Sequence, residues 1–168
     1  MAASYEQRLS DRWTFTGTLG ASVGGSLRLG TAGFDLLPGP LVAAAISCRV
    51  VDDRKARPFV LITLSLAGSW GDTAPRGGPP TESIVAVDAR LGVAAGKTIA
   101  RVLTPYVAAR AFGGPVLWKY AGQNGTGTDT HHYQVGAGFS LALGRFDVHL
   151  ELAPLGEREL AAGAGIAF

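Results

Sequence analysis

The sequence predicts an all-β protein, a single eight-stranded antiparallel up-and-down barrel whose strands cross a membrane. Three observations predict it. From residue 12 to the C-terminus, side chains alternate in character with a period of two, the signature of strands. Eight segments alternate in this way, separated by stretches rich in turn residues. The charged residues share a face with the small ones, while the bulky apolar residues hold the opposite face.

The first segment, 12–29, sets Trp13, Phe15, Leu19, Ala21, Val23 and Leu27 against Thr14, Thr16, Thr18, Ser22, Ser26 and Arg28. It is longer than the roughly 9–11 residues that a membrane strand needs. The second, 34–51, sets Val42, Ala44, Ile46, Cys48 and Val50 against Ala43, Ala45, Ser47 and Arg49. The third, 59–70, sets Val60, Ile62, Leu64, Leu66 and Trp70 against Thr63, Ser65 and Ser69. In the fourth, 83–96, Val85, Val87, Ala89, Leu91 and Val93 oppose Asp88, Arg90, Gly92 and Gly96. In the fifth, 105–118, Val107, Ala109, Ala111 and Leu117 oppose Tyr106, Arg110 and Gly114. The sixth, 131–143, places Tyr133, Val135, Ala137, Phe139 and Leu141 opposite His132, Gln134, Gly136, Gly138 and Ser140. The seventh interleaves Phe146, Val148, Leu150 and Leu152 with Asp147, His149 and Glu151. The eighth, 158–168, carries Leu160, Ala162, Ala164, Ile166 and Phe168 on one face and Ala161, Gly163, Gly165 and Ala167 on the other.

The connections alternate as well. Residues 52–57, 97–104 and the pair Gly144-Arg145 are short or moderate, whereas 71–82 and 121–130 are longer and rich in Gly, Pro or Thr. Asn124-Gly125 is a turn dipeptide. Short turns at one end and longer loops at the other fit a membrane barrel. No repeat beyond this rhythm and no second domain is visible, so residues 1–168 are expected to be one domain.

The orientation follows from size. An eight-stranded barrel has an interior barely wide enough for side chains, so small residues belong inside. Arg49, Asp88, Arg90, Arg110, Asp147, His149 and Glu151 share that small-residue face and are expected to point inwards. The bulky apolar face then points outwards, which demands lipid, because in water such a surface aggregates. Closure follows, since backbone groups at hydrocarbon depth must all be paired. Aromatic residues near strand ends, Trp13, Phe59, Phe146 and Phe168 at one end and Trp70, Trp118 and Tyr133 at the other, are expected to form interfacial girdles.

Composition agrees. Charged residues make up 17% of the chain, against a usual share of about 25%, and the 24 glycines are about twice the usual fraction. So many glycines disfavour long helices. A net charge of +2 without a basic run excludes a nucleic-acid surface. Cys48 is the single cysteine, which excludes an intrachain disulfide and a multi-cysteine zinc site. No apolar run reaches the roughly 20 residues of a spanning helix. The start of the chain lacks a basic region and an apolar core. With the surface just described, a mature chain is expected, with residues 1–11 as a periplasmic segment.

The chain resembles the small eight-stranded outer-membrane barrels of the OmpA/OmpX type. The last strand carries that resemblance, Leu160-Ala161-Ala162-Gly163-Ala164-Gly165-Ile166-Ala167-Phe168, alternating and closed by a terminal Phe. The resemblance implies a bacterial outer-membrane location, contact with the lipid bilayer and lipopolysaccharide, recognition of the Phe168 ending by the insertion machinery, and a monomer.

The inward charges come nearest to a site. Three arginines (Arg49, Arg90, Arg110) face three acids (Asp88, Asp147, Glu151), as a paired network filling the lumen requires. The row Asp147, His149, Glu151 has the donor types for a metal or an oriented base, but it is expected to join the arginines instead. His131-His132-Tyr133-Gln134 lacks the His-x-Ser-Asn element of outer-membrane lipid A deacylases. The run from Gly92 to Thr98 falls short of a P-loop, with three residues where four separate the glycines and Leu91 where a Gly is needed. No catalytic, cofactor or metal role is therefore expected. The leading expectation is a structural or interaction barrel. A channel for ions or small molecules, a lipid-modifying enzyme and a soluble lipocalin-like binder are the alternatives.

Overall fold

Two-residue alternation produces strands, and every element among the described residues is one. The structure, a computed structural model, describes residues 1–29, 32–75, 82–120, 123–128 and 131–167. Its strands are β1 (Ala2–Arg8), β2 (Trp13–Ser22), β3 (Gly25–Leu29), β4 (Ala32–Leu36), β5 (Gly39–Val51), β6 (Phe59–Pro75), β7 (Glu82–Gly96), β8 (Leu103–Gly113), β9 (Val116–Tyr120), β10 (Gln123–Gly127), β11 (Tyr133–Leu143), β12 (Phe146–Gly156) and β13 (Glu159–Ile166). All pairings are antiparallel, and the main path runs β1-β2-β5-β6-β7-β8-β11-β12-β13.

Each of the eight expected segments is present, three of them divided. The first breaks at Gly24, whose φ of 124° suits only glycine, into β2 and β3. The second becomes β4 and β5, and the fifth divides at Gly114-Pro115 into β8 and β9. The extra pieces gather at one end. The β3–β4 hairpin extends the sheet beside the end of β6, and the β9–β10 hairpin does so beside the start of β7. Asn124-Gly125 therefore lies within β10, paired to Lys119 and Trp118, and is not the turn that the dipeptide suggests. Tight connections occupy the other end. Leu143 and Phe146 pair across Gly144-Arg145, with Gly144 at φ 68°, as a type II′ turn requires at its first central residue.

Two features differ from the sequence expectation. Residues 2–8, ahead of the first expected strand segment, also form a strand, paired to β2 from Ala2↔Gly20 to Arg8↔Thr14. Alternation explains this, because Ser4, Glu6 and Arg8 line up with Thr18, Thr16 and Thr14, and the Ser4 and Thr18 hydroxyls bond at 2.9 Å. The second difference follows from the first. The edge of β2 that a closed eight-stranded barrel gives to the last strand is taken by β1, and β13 pairs only with β12 among the described residues. The sheet is curled but open, a half-barrel.

The curl is strong. Glu6 of β1 and Glu151 of β12 line one cavity, although seven steps of the path separate their strands. A flat sheet would hold them roughly 34 Å apart at about 4.8 Å per strand. The convex side carries the bulky apolar residues, among them Leu19, Ile46, Leu64, Leu66, Leu91, Val107, Phe139, Leu150 and Leu160, all exposed. Among the described residues the buried apolar set is short, with Phe34, Ala74, Ala108, Phe112 and Ala153. The accessible surface of 11277 Å² far exceeds the roughly 7,800 Å² of a globular chain of this size.

Candidate functional site: a charged cluster on the concave face

The concave face of β8, β11, β12 and β13 holds the densest polar cluster. Tyr106 and Arg110 lie four residues apart on β8 and so share a face. Gln134 sits opposite Arg110 on β11. Glu151 of β12 accepts both ends of the Arg110 guanidinium, the Nη2 contact at 2.8 Å, in a bidentate pair. Tyr106 donates its hydroxyl to Glu151 at 2.8 Å. Arg110 also donates to Gln134 Oε1 at 2.9 Å, and Gln134 Nε2 donates to Glu159 of β13 at 2.8 Å. The chain of bonds thus crosses four strands. Gln134, only 1% exposed, is its buried centre.

Glycine makes this reach possible. β8 and β12 are not neighbours, because β11 runs between them. The β11 residue between Tyr106 and Glu151 is Gly138, which pairs with both. A Cβ at Gly138 would come within 2.8 Å of the Tyr106 ring and hydroxyl. The bare backbone lets the ring lie across β11 and reach the next strand. The same pairing recurs at the edge, where His149 lies over Gly163 and Asp147 over Gly165 on β13.

The seven expected lumen residues therefore do not form one network. Arg110 and Glu151 are joined. Asp88 and Arg90 form a separate pair, two residues apart on β7, at 3.0 Å, and Arg90 also stacks over Phe112 at 4.7 Å. One carboxylate oxygen of Asp88, Oδ1, is buried without a hydrogen-bond partner. Asp147 and His149 pack on glycines, and His149 lines a cavity of about 390 Å³ beside Arg90, Arg110 and Glu151. Arg49 is set apart. It immediately precedes a register shift in β5 and lines a different hollow with Glu6, Arg8 and Asp11. The sequence expectation missed Tyr106, Gln134 and Glu159 as members. Tyr106 and Gln134 were readable as inward by alternation, but their partnership depends on which strands stand side by side.

The row Asp147, His149, Glu151 does not converge, since each side chain leans on a different neighbour. No group of three or more His, Cys, Asp or Glu among the described residues is placed to hold a metal ion. Lys97 and Thr98, the end of the run that approaches a P-loop, are engaged at the tight-turn end. Lys97 Nζ donates to Asp53 and to the Arg57 carbonyl, and the Thr98 amide donates to Asp53 at 2.8 Å. These contacts, the Lys97 side-chain bond foremost, hold the Asp53 carboxyl below its ordinary pKa.

The aromatic residues divide. Trp13, Trp70, Tyr133 and Phe146 are exposed on the convex side, Trp13 and Phe146 near the tight-turn end and Trp70 and Tyr133 near the other. Two were expected in the girdles and are elsewhere. Phe59 is an odd position on β6, so it faces the hollow, where it covers Gly96 and lines a cavity with Leu61 and Thr63. Trp118 meets Phe34 edge-to-face, with ring centroids 6.4 Å apart, and so joins the β4 and β9 extensions. Phe168 lies outside the described residues.

No protein-family model, curated protein or solved structure matches the chain.

Proposed function

We propose that the chain is an integral β-barrel protein of the bacterial outer membrane, with a polar, side-chain-filled interior and a structural or interaction role without catalysis. One observation carries the reading. The convex side exposes a continuous field of Leu, Val, Ile and Phe, while the concave side carries the arginines, acids, hydroxyls and glycines. In water that arrangement exposes far more contiguous apolar surface than soluble proteins tolerate. Against acyl chains it is the low-energy arrangement. Strands of 10 to 17 residues along the main path, from β2 to β12, are long enough to cross. Four convex aromatics near the two strand ends fit interfacial belts.

In this reading the Tyr106–Arg110–Gln134–Glu151–Glu159 cluster braces the interior across four strands, with Arg110 neutralising Glu151 and Gln134 holding Glu159. The lipid bilayer and lipopolysaccharide are the proposed contacts of the convex face, and the ending at Phe168 is the proposed signal for insertion. The eight-stranded OmpA/OmpX type is the proposed architecture within the membrane. Refolding with phospholipid vesicles followed by flotation tests the reading. The protein is expected to float with the lipid after high-salt washing and to migrate faster on a gel unheated than boiled. Recovery in the lipid-free fraction would remove the membrane assignment. A channel is the second reading, favoured by the two hollows of about 390 and 480 Å³ on the concave face. Conductance steps in planar bilayers would establish it in place of the filled interior.

A further inference from the structure

The sheet ends in two edges, and they are not equivalent. β1 supplies the outer edge on one side, and β13 the outer edge on the other. The main path contains nine strands, an odd number, so β1 and β13 run in the same direction. They cannot close the sheet as an antiparallel pair, whereas β2 and β13 run in opposite directions and can. The edge of β2 that would receive β13 is occupied by β1 over seven residues.

The side chains favour the replacement in lipid. β13 presents Leu160, Ala162, Ala164 and Ile166 on the convex side, with Leu160 and Ile166 largely exposed. β1 presents Ala3, Tyr5 and Gln7 there, and all seven of its residues are exposed. Lying at the rim, β1 is a poor lipid-facing strand, and β13 is a suitable one. The backbone argues the same way. With β1 in place, the far edges of β1 and β13 are two rows of N–H and C=O groups without a strand partner among the described residues. Water satisfies such rows, but hydrocarbon leaves each group unpaired at a cost of several kcal/mol. Pairing β13 with β2 removes both rows from the sheet and releases β1 into water, where its polar residues are solvated.

We infer that β1 is an exchangeable cover for the edge of β2: it holds that edge in water and is displaced by β13 when the chain enters a bilayer, closing eight strands into a barrel. This rests on the membrane reading proposed above. The occupant of the edge is a segment of the same chain in both states, and the solvent selects between them.

Amide hydrogen exchange on the full chain, in water and bound to dilauroyl-phosphatidylcholine vesicles, tests the inference. On vesicles, the amides of residues 2–8 are expected to lose protection and those of β13 to gain it, each by roughly tenfold or more. A companion variant, C48S/S4C/T18C, uses the facing pair Ser4 and Thr18 to lock β1 onto β2 by a disulfide. When oxidised it is expected to bind vesicles without protecting β13, and when reduced to regain that protection. Protein that floats with vesicles while residues 2–8 stay protected, or an oxidised lock that protects β13 fully, would overturn the exchange and leave the membrane reading standing. Protein that never associates with vesicles would overturn the membrane reading, and the exchange with it.

Discussion

At the scale of single residues, the interior charges differ in what they hold. Glu151 receives two bonds from Arg110 and one from Tyr106, and its side chain is 11% exposed, against 27% for Arg110. Glu151→Ala strands Arg110 beside Gln134 alone. Breaking a fully buried pair costs about 3–5 kcal/mol, and partial exposure lowers this to about 2–3 kcal/mol. Arg90→Ala removes a pair to Asp88 and a stack on Phe112, worth about 1–2 kcal/mol together. Arg49→Ala, outside both groups, is expected to stay within about 0.5 kcal/mol of the parent. Urea unfolding followed by tryptophan fluorescence ranks the three, and equal losses would show that the interior is one network after all. Gly138 is the complementary test. Gly138→Ala places a methyl against the Leu150 carbonyl and the Tyr106 ring and is expected to cost about 1–3 kcal/mol through overpacking.

At the scale of elements, the tight-turn end contains both a weak point and a clamp. The turn after β7 places Ala100 at φ 52° and Arg101 at φ 63°, with Val102 N donating to Ile99 O at 3.1 Å. Two positive φ values in succession define a type I′ turn, which favours Asn-Gly over Ala-Arg. The double substitution A100N/R101G is expected to stabilise the protein by about 1–2 kcal/mol, measured as a higher unfolding midpoint. An unchanged midpoint would mean that the turn relaxes at no cost. The clamp is Asp53, which binds Lys97 and the Thr98 amide and so ties the turn after β5 to the end of β7. Its pKa is lowered in the folded state, mainly by the Lys97 bond. The stabilisation is therefore present above the ordinary carboxyl value of 3.8 and is lost as pH falls through the lower folded value. The stability gap between parent and Asp53→Asn is expected to hold from pH 7 to about 4 and to narrow below 3.8. A gap unchanged at pH 2 would exclude the charged form as its source.

At the scale of the whole molecule, the question is what covers the convex face. Leu64 lies in the first half of β6, 52% exposed, between Ile46 and Leu91 on the adjacent strands. Leu64→Arg on a water-exposed face changes stability by no more than about 0.5 kcal/mol. On a lipid face near the bilayer midplane it costs about 2–4 kcal/mol. Folding the variant into vesicles separates the two, and a parent-like folded fraction would place Leu64 away from acyl chains. The inverted sheet also explains why few of the described residues are buried. A half-barrel with small residues on its hollow side has no second layer to pack against, so its side chains pair across strands instead.

Much of the fold was legible because strand alternation is a local property. The period of two in 146–152, or in 85–93, fixes both the strand and the face of each residue without reference to any partner. The division of charged and apolar faces followed directly, and the exposed Leu64, Leu91 and Leu150 agree with it. The sequence also pointed to Arg110 and Glu151 as inward charges. Contacts between strands were not legible, because they depend on adjacency and register. Tyr106 reaches Glu151 only because β11 intervenes with Gly138, and Phe59 and Trp118 face inwards by the parity of their strands rather than by aromatic character. The tertiary structure alone decided the state of the edges. The polar ladder of residues 2–8 is too short and too mixed to stand out as a strand, yet beside β2 it finds a complementary row of threonines, and that pairing keeps β13 from the edge of β2.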